Sequence, residues 1–137
     1  ALRFGPNTSL RKVVSGQRVP IALTSLGRAY VSTQKGQTLQ DLMQRLKTRH
    51  ARDWHRVRPE IEHSIAEVQE SGFCIVSWQP RVVAIATPLI FEHDPVHVLN
   101  MSLYTDLEIG TVKKNLTKPL MGLRQTVLDA ISAARLA

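Results

Sequence analysis

The chain has 137 residues, 43% of them apolar, and 18 Lys and Arg against 11 Asp and Glu give it a formal charge of +7. That length and composition specify one globular domain with a single core. No apolar run approaches the roughly 20 residues a membrane span needs, the N-terminus has no secretory pattern, and the lone Cys74 excludes an intrachain disulfide and favours a reducing, cytoplasmic setting.

The basic charge is concentrated. Between Arg45 and Arg58, six basic residues (Arg45, Lys47, Arg49, Arg52, Arg56 and Arg58) stand against Asp53 alone. If one helix ran through this stretch they would form a stripe beside its apolar face, either simply solvated or turned toward phosphates.

Taken in order, the opening ALRF reads as the continuation of an element begun upstream, so the chain is expected to be a fragment. Gly5-Pro6-Asn7 marks a turn, and Leu10 to Val14 reads as a short strand closed by Ser15-Gly16. Thr24 to Val31 reads as a loop passing into a helix, with Thr24 or Ser25 as N-cap. Leu39, Leu42, Met43 and Leu46 predict a helix from Thr38 to about Arg49. A second helix is expected from Pro59, tolerated in a first turn, to Ser71, where Gly72 supplies a left-handed end.

Phe73 to Trp78 reads as a strand, and Val82 to Phe91 as a longer one. The β-branched Val82, Val83, Ile85, Thr87 and Ile90 favour extended chain, apolar on both faces. Pro88 has no amide to give a ladder and is expected at a bulge or where pairing lapses. After the turn Glu92-His93-Asp94-Pro95, Val96 to Tyr104 returns with Leu99, Met101 and Leu103 on one face and Asn100, Ser102 and Tyr104 on the other. That second face is either solvated or the polar floor of a ligand cavity. Thr117-Lys118-Pro119 is read as opening a closing helix with an apolar stripe. The order predicts an α+β domain, an antiparallel sheet covered by helices on at least one face.

Four kinds of chemistry can be weighed. His93 and His97, with Glu92 and Asp94, have a spacing that would suit a metal on a helix, but here it straddles a turn holding Pro95, and no metal is expected. Cys74 lacks a nucleophile elbow, and the scattered glycines form no phosphate loop, so neither an enzyme nor a cofactor is expected. What remains is the helix start at Thr24-Ser25. Its free backbone amides could hold a carboxylate, with Val82 and Ala84 as an apolar wall and Asn100 and Ser102 as hydrogen-bonding partners. The plain alternative for Thr24-Ser25 is an ordinary cap.

With these residues in view, the chain resembles the effector-binding domain of IclR-type (isocitrate lyase regulator) transcriptional regulators. Residues 16–29, GQRVPIALTSLGRA, look like the family's G-x-R-x-P-L-H-A-T-A-x-G-K-A. Glu70-Ser71-Gly72-Phe73 is similar to the end of its I-R-x-x-G-Y, Ala84-Ile85-Ala86-Thr87-Pro88 to C-I-A-A-P, and Asn100-Met101-Ser102-Leu103 lies where the family has S-x-S-G. The Thr-Ser-Leu-Gly-Arg form is similar to the branch regulating aromatic-acid catabolism.

The resemblance implies a GAF-like fold whose curved antiparallel sheet grips a small organic acid, aromatic acids included. It also implies assembly into dimers or tetramers, and operator DNA bound through a winged helix-turn-helix domain that this chain lacks, along with the effector domain's first helix and strand. Carried over by position, the ligand contacts would be the backbone of Ser25 and Leu26, with Val82, Ala84, Asn100 and Ser102 around the pocket. A polar or acidic position after the G-Y strand falls at Val76 or Ser77. The family histidine is Ala22 here, and the C-I-A-A-P cysteine is Ala84. Two other readings stay open: a nucleic-acid-binding module acting through Arg45 to Arg58, and an oligomerisation module with an empty pocket.

Overall fold

Eight consecutive residues, seven of them apolar and four (Val82, Val83, Ile85 and Thr87) β-branched, form a strand buried along its whole length, β2 (Val82–Leu89). It lies between β1 (Cys74–Gln79) and β3 (His97–Tyr104), both antiparallel to it, in the order β1-β2-β3. The structure, a computed structural model, describes Gly16 and residues 18–136. The expected turn at Gly5 and strand at Leu10 to Val14 lie outside the described residues.

The register fixes both faces of the sheet. Ala84 opposes Ser102 and Ala86 opposes Asn100, while Ile85 opposes Met101 and Thr87 opposes Leu99. Because alternate residues point to opposite faces, Val82, Ala84 and Ala86 share a face with Asn100, Ser102 and Tyr104, as the alternation predicts. Pro88 sits where pairing lapses on one side. β1 pairs no further along β2 than Cys74 opposite Ala86, so beyond that point only β3 accompanies β2. The irregularity in the ladder is instead in β1, where Val76 opposes Ala84 and Gln79 opposes Val82, three steps against two.

Helices pack on both faces, leaving part of the Asn100 face open. On the Asn100 face, Ala29 of α1 (Ser25–Val31) and Val68 of α3 (Trp54–Ser71) pack with Cys74, Ala86 and Val98. On the opposite face, Leu116, Leu120 and Met121 of α4 (Ile109–Leu136) meet Phe73, Ile75, Ile85, Leu99 and Met101. The fully buried Ile85 and Leu120 each contribute about 1.5–3 kcal/mol from burial. A separate core sets α2 (Gly36–Arg49) on α3 through Leu42, Leu46, Val57 and Ile61, with Ala22 and Val31 closing it. Glu67 joins three elements: one carboxylate oxygen accepts from the Ile75 amide at 2.9 Å and the other meets Lys113 Nζ at 3.2 Å.

Two prolines sit deeper in helices than their residue type predicts. The helix expected to open at Pro59 begins at Trp54, and the one expected to open at Thr117-Lys118-Pro119 begins at Ile109. In each case apolar residues upstream, Val57 and Val112, are fully buried, and their packing outweighs the amide bond that proline forgoes. The single basic stripe does not form, since α2 ends at Arg49 and a turn separates it from α3. Arg56 pairs with Asp53 and Glu60, and Arg58 with Glu62. Among the described residues, no helix is long and apolar enough to cross a membrane.

Candidate functional site

Thr24 to Arg28 is a built corner in which each residue type is accounted for by geometry. Thr24 is extended (φ −106°, ψ 152°) and caps α1. Its hydroxyl accepts from the Gly27 amide at 3.0 Å and donates to the Pro20 carbonyl at 2.8 Å, closing the loop behind the helix. Gly27 lies against the Ile21 backbone so closely that a Cβ there would overlap the Ile21 carbonyl. Arg28 is buried; its Nε donates to the Ala22 carbonyl at 2.9 Å, and its Nη atoms to Ser64 Oγ at 3.3 Å and Glu60 Oε2 at 3.0 Å. One guanidinium thereby fastens the loop before α1 to α3.

The helix start meets the polar face of β3. Ser25 Oγ donates to Asn100 Oδ1 at 3.2 Å, and Cys74 Sγ donates to the Ser25 carbonyl at 3.4 Å. Ser102 is the next residue along that face, with the buried Ala84 and Val82 beside it on β2. Ser25, Val82, Ala84, Asn100 and Ser102 are therefore brought to one side of the sheet. Asn100 and Ser102 are exposed, so this surface opens to solvent. The Gly27 amide is taken by the Thr24 hydroxyl and the Arg28 amide by the Thr24 carbonyl at 2.9 Å, which leaves the Ser25 and Leu26 amides as the first-turn donors not engaged by the cap.

Ser77 is not joined to this group. It falls in the irregular part of β1, and its hydroxyl reaches only the Gln79 carbonyl at 3.4 Å. Tyr104 continues the Asn100 face, as the alternation predicts, and its hydroxyl accepts from Arg81 Nη1 at 3.3 Å, a contact the sequence context of Arg81 did not signal. Arg81 also pairs with Asp106 at 3.0 Å. Together these set the Arg81 guanidinium at the far end of the polar face, its charge balanced by Asp106.

The other chemistries considered are used up elsewhere. Burial pushes the Cys74 thiol up to about 12, with the nearby Glu67 charge adding and Arg28 opposing; such a thiol is neutral and unreactive at physiological pH. Asp94 pairs with Arg135, and His97 packs edge-on to Phe91. Among the described residues, no group of three or more His, Cys, Asp or Glu could hold a metal.

No protein-family model and no curated protein sequence matches the chain. Solved structures do. An IclR-family transcriptional regulator from Brucella abortus superposes with a TM-score of 0.79 at 19% identity, over 89% of this chain and 48% of that one. The chain has the fold of an IclR effector domain. A transcriptional regulator from Rhodococcus sp. gives 0.73 at 16% identity, over 93% of this chain and 53% of that one. The effector domain of the IclR regulator from Acinetobacter sp. gives 0.60 at 20% identity, over 85% of this chain and 69% of that one. The chain spans about half the length of the first two, and its α+β order, with an antiparallel sheet between helices, is that of the IclR effector domain.

Proposed function

We propose that this chain is the ligand-sensing and oligomerisation domain of an IclR-type bacterial transcriptional regulator, cytoplasmic and without catalytic activity. The observation that carries the reading is the Ser25–Asn100 hydrogen bond at 3.2 Å, which sets a helix start and a hydroxyl- and amide-bearing strand face side by side on a fold otherwise found in transcriptional regulators. A small organic acid, aromatic acids foremost, is the effector that suits this site. Its carboxylate would take the Ser25 and Leu26 amides, Asn100 and Ser102 would bond its polar substituents, and Val82 and Ala84 would line its apolar body. Each charge-assisted bond of this kind contributes roughly 1.5–3 kcal/mol.

The mechanism is linkage. An effector that binds one dimer or tetramer arrangement better than another shifts the population by its difference in affinity, and DNA-reading domains attached to the sensor move with it. Calorimetry with a panel of aromatic and aliphatic acids tests the reading. A binder found there should lose at least about tenfold in affinity in Asn100→Ala/Ser102→Ala, equivalent to about 1.4 kcal/mol. An unchanged affinity in that variant would remove the site.

A further inference from the structure

A hollow lies against the loop that Thr24 closes. It has a volume of about 340 Å³ and is formed where residues 18–23 pass the C-terminal end of α2. Ile21, Leu23 and the buried Leu46 give it an apolar floor continuous with the α2–α3 core, while Arg18, Arg49 and His50 supply cationic and hydrogen-bonding groups around it. Among the described residues, no carboxylate lines it.

The charge around the hollow is uncompensated. Among the described residues, Arg45, Lys47, Arg49 and Arg52 have no ion-pair partner, whereas Arg56 has two and Arg58 has one. Residues 1–17 contain no Asp or Glu that could neutralise them. Cations in the last turn of α2 complement its helix dipole, which accounts for Lys47 and Arg49. That effect does not account for Arg18, which reaches the same hollow from a different segment. Arg45 and Arg49 are also one helical turn apart, a like-charge spacing that costs a helix a few tenths of a kcal/mol, roughly 0.2–0.5.

We propose that this hollow is a second acid-binding site, taking a small monocarboxylate whose apolar body rests on Ile21, Leu23 and Leu46 while Arg18 and Arg49 hold its charge. The volume falls at the lower end of small-molecule sites, about 300–1,000 Å³. The site bears on the first one through the loop they share. Pro20 and Ile21 line the hollow, and these residues receive the Thr24 hydroxyl and the Gly27 backbone contact that position the start of α1.

The test is an amide chemical-shift titration of the 137-residue chain with benzoate as the probe. Benzoate should shift the amides of Ile21, Leu23, Leu46 and His50. Arg18→Gln/Arg49→Gln changes only exposed residues, so the fold is kept, and it should weaken that response about tenfold or more while any response at Asn100 stays as it was. Asn100→Ala/Ser102→Ala should leave the Ile21 and His50 response intact, so failure of either site is read separately. Benzyl alcohol lacks the charge and inorganic phosphate lacks the apolar body, and each should bind about tenfold more weakly than benzoate. Three outcomes overturn the proposal: no shift at these amides at millimolar benzoate, no loss in the arginine variant, or phosphate or oligothymidylate binding as tightly as benzoate. The last would mark a polyanion surface instead.

Discussion

Gly27 rests directly on the backbone of Ile21, close enough that no side chain of any kind fits between them. Gly27→Ala should therefore destabilise the chain by about 2 kcal/mol or more, since overlap with backbone cannot be relieved by a rotamer change. Gly122→Ala, in an open helical position of α4, should stabilise it by about 0.5–1 kcal/mol. Denaturant unfolding of the two variants, with opposite signs expected, checks the contact.

Arg28 makes three hydrogen bonds from a nearly inaccessible position, and lysine cannot reproduce a guanidinium's geometry. Arg28→Lys should cost about 3 kcal/mol, because it leaves the Ala22 carbonyl and Ser64 short of partners. Glu60→Gln should cost under about 1 kcal/mol, since the Glu60 side chain is 43% exposed and its pair is screened by solvent. Comparable losses in the two variants would mean that the ion pair, not the loop tie, holds the corner.

Thr24→Ala should lose about 1 kcal/mol with its cap, and Thr24→Ser should recover most of it. The alanine variant also frees the Pro20 carbonyl, so amide hydrogen exchange at Gly27 and Arg28 should quicken in Thr24→Ala and not in Thr24→Ser.

Cys74 gives the chain an alkaline limit. The folded thiol is held near 12 against an ordinary value of 9.0, so between these values the unfolded chain has released a proton that the folded chain keeps. The stabilising effect is complete below pH 9 and is lost as pH rises toward 12, at up to about 1.4 kcal/mol per pH unit. Cys74→Ala should flatten that part of the stability-against-pH curve relative to the unsubstituted chain. In the native state at pH 7, iodoacetamide should leave Cys74 unmodified.

The strands, their faces and the caps at Thr24 and Gly72 were legible because each depends on neighbours in sequence: β-branched runs, period-two alternation, a hydroxyl before a helix and a glycine after one. Asn100 beside Ser25 spans 75 positions, so residue chemistry and the family resemblance could suggest the pairing while periodicity and spacing could not place it. The two helix starts were misplaced because proline carries a strong local preference, while the packing of Val57 and Val112 that overrides it is tertiary. The setting of Ser77 was hidden for a similar reason: the irregularity in which it lies belongs to the pairing of β1 with β2. The role of Arg28 emerges only when Ala22, Glu60 and Ser64 converge on it.

The 28 residues of α4 extend about 42 Å at 1.5 Å per residue, against roughly 27 Å for the eight-residue strands it covers. Leu120, fully buried near its middle, is one of the side chains that fasten it to the sheet, with Leu116 and Met121 beside it. From there to Leu136 is about 24 Å, so a tilt of about 5° sweeps the tip through roughly 2 Å. The Arg135–Asp94 contact ties that long overhang back to the turn before β3, so the reach of the helix is braced at its far end.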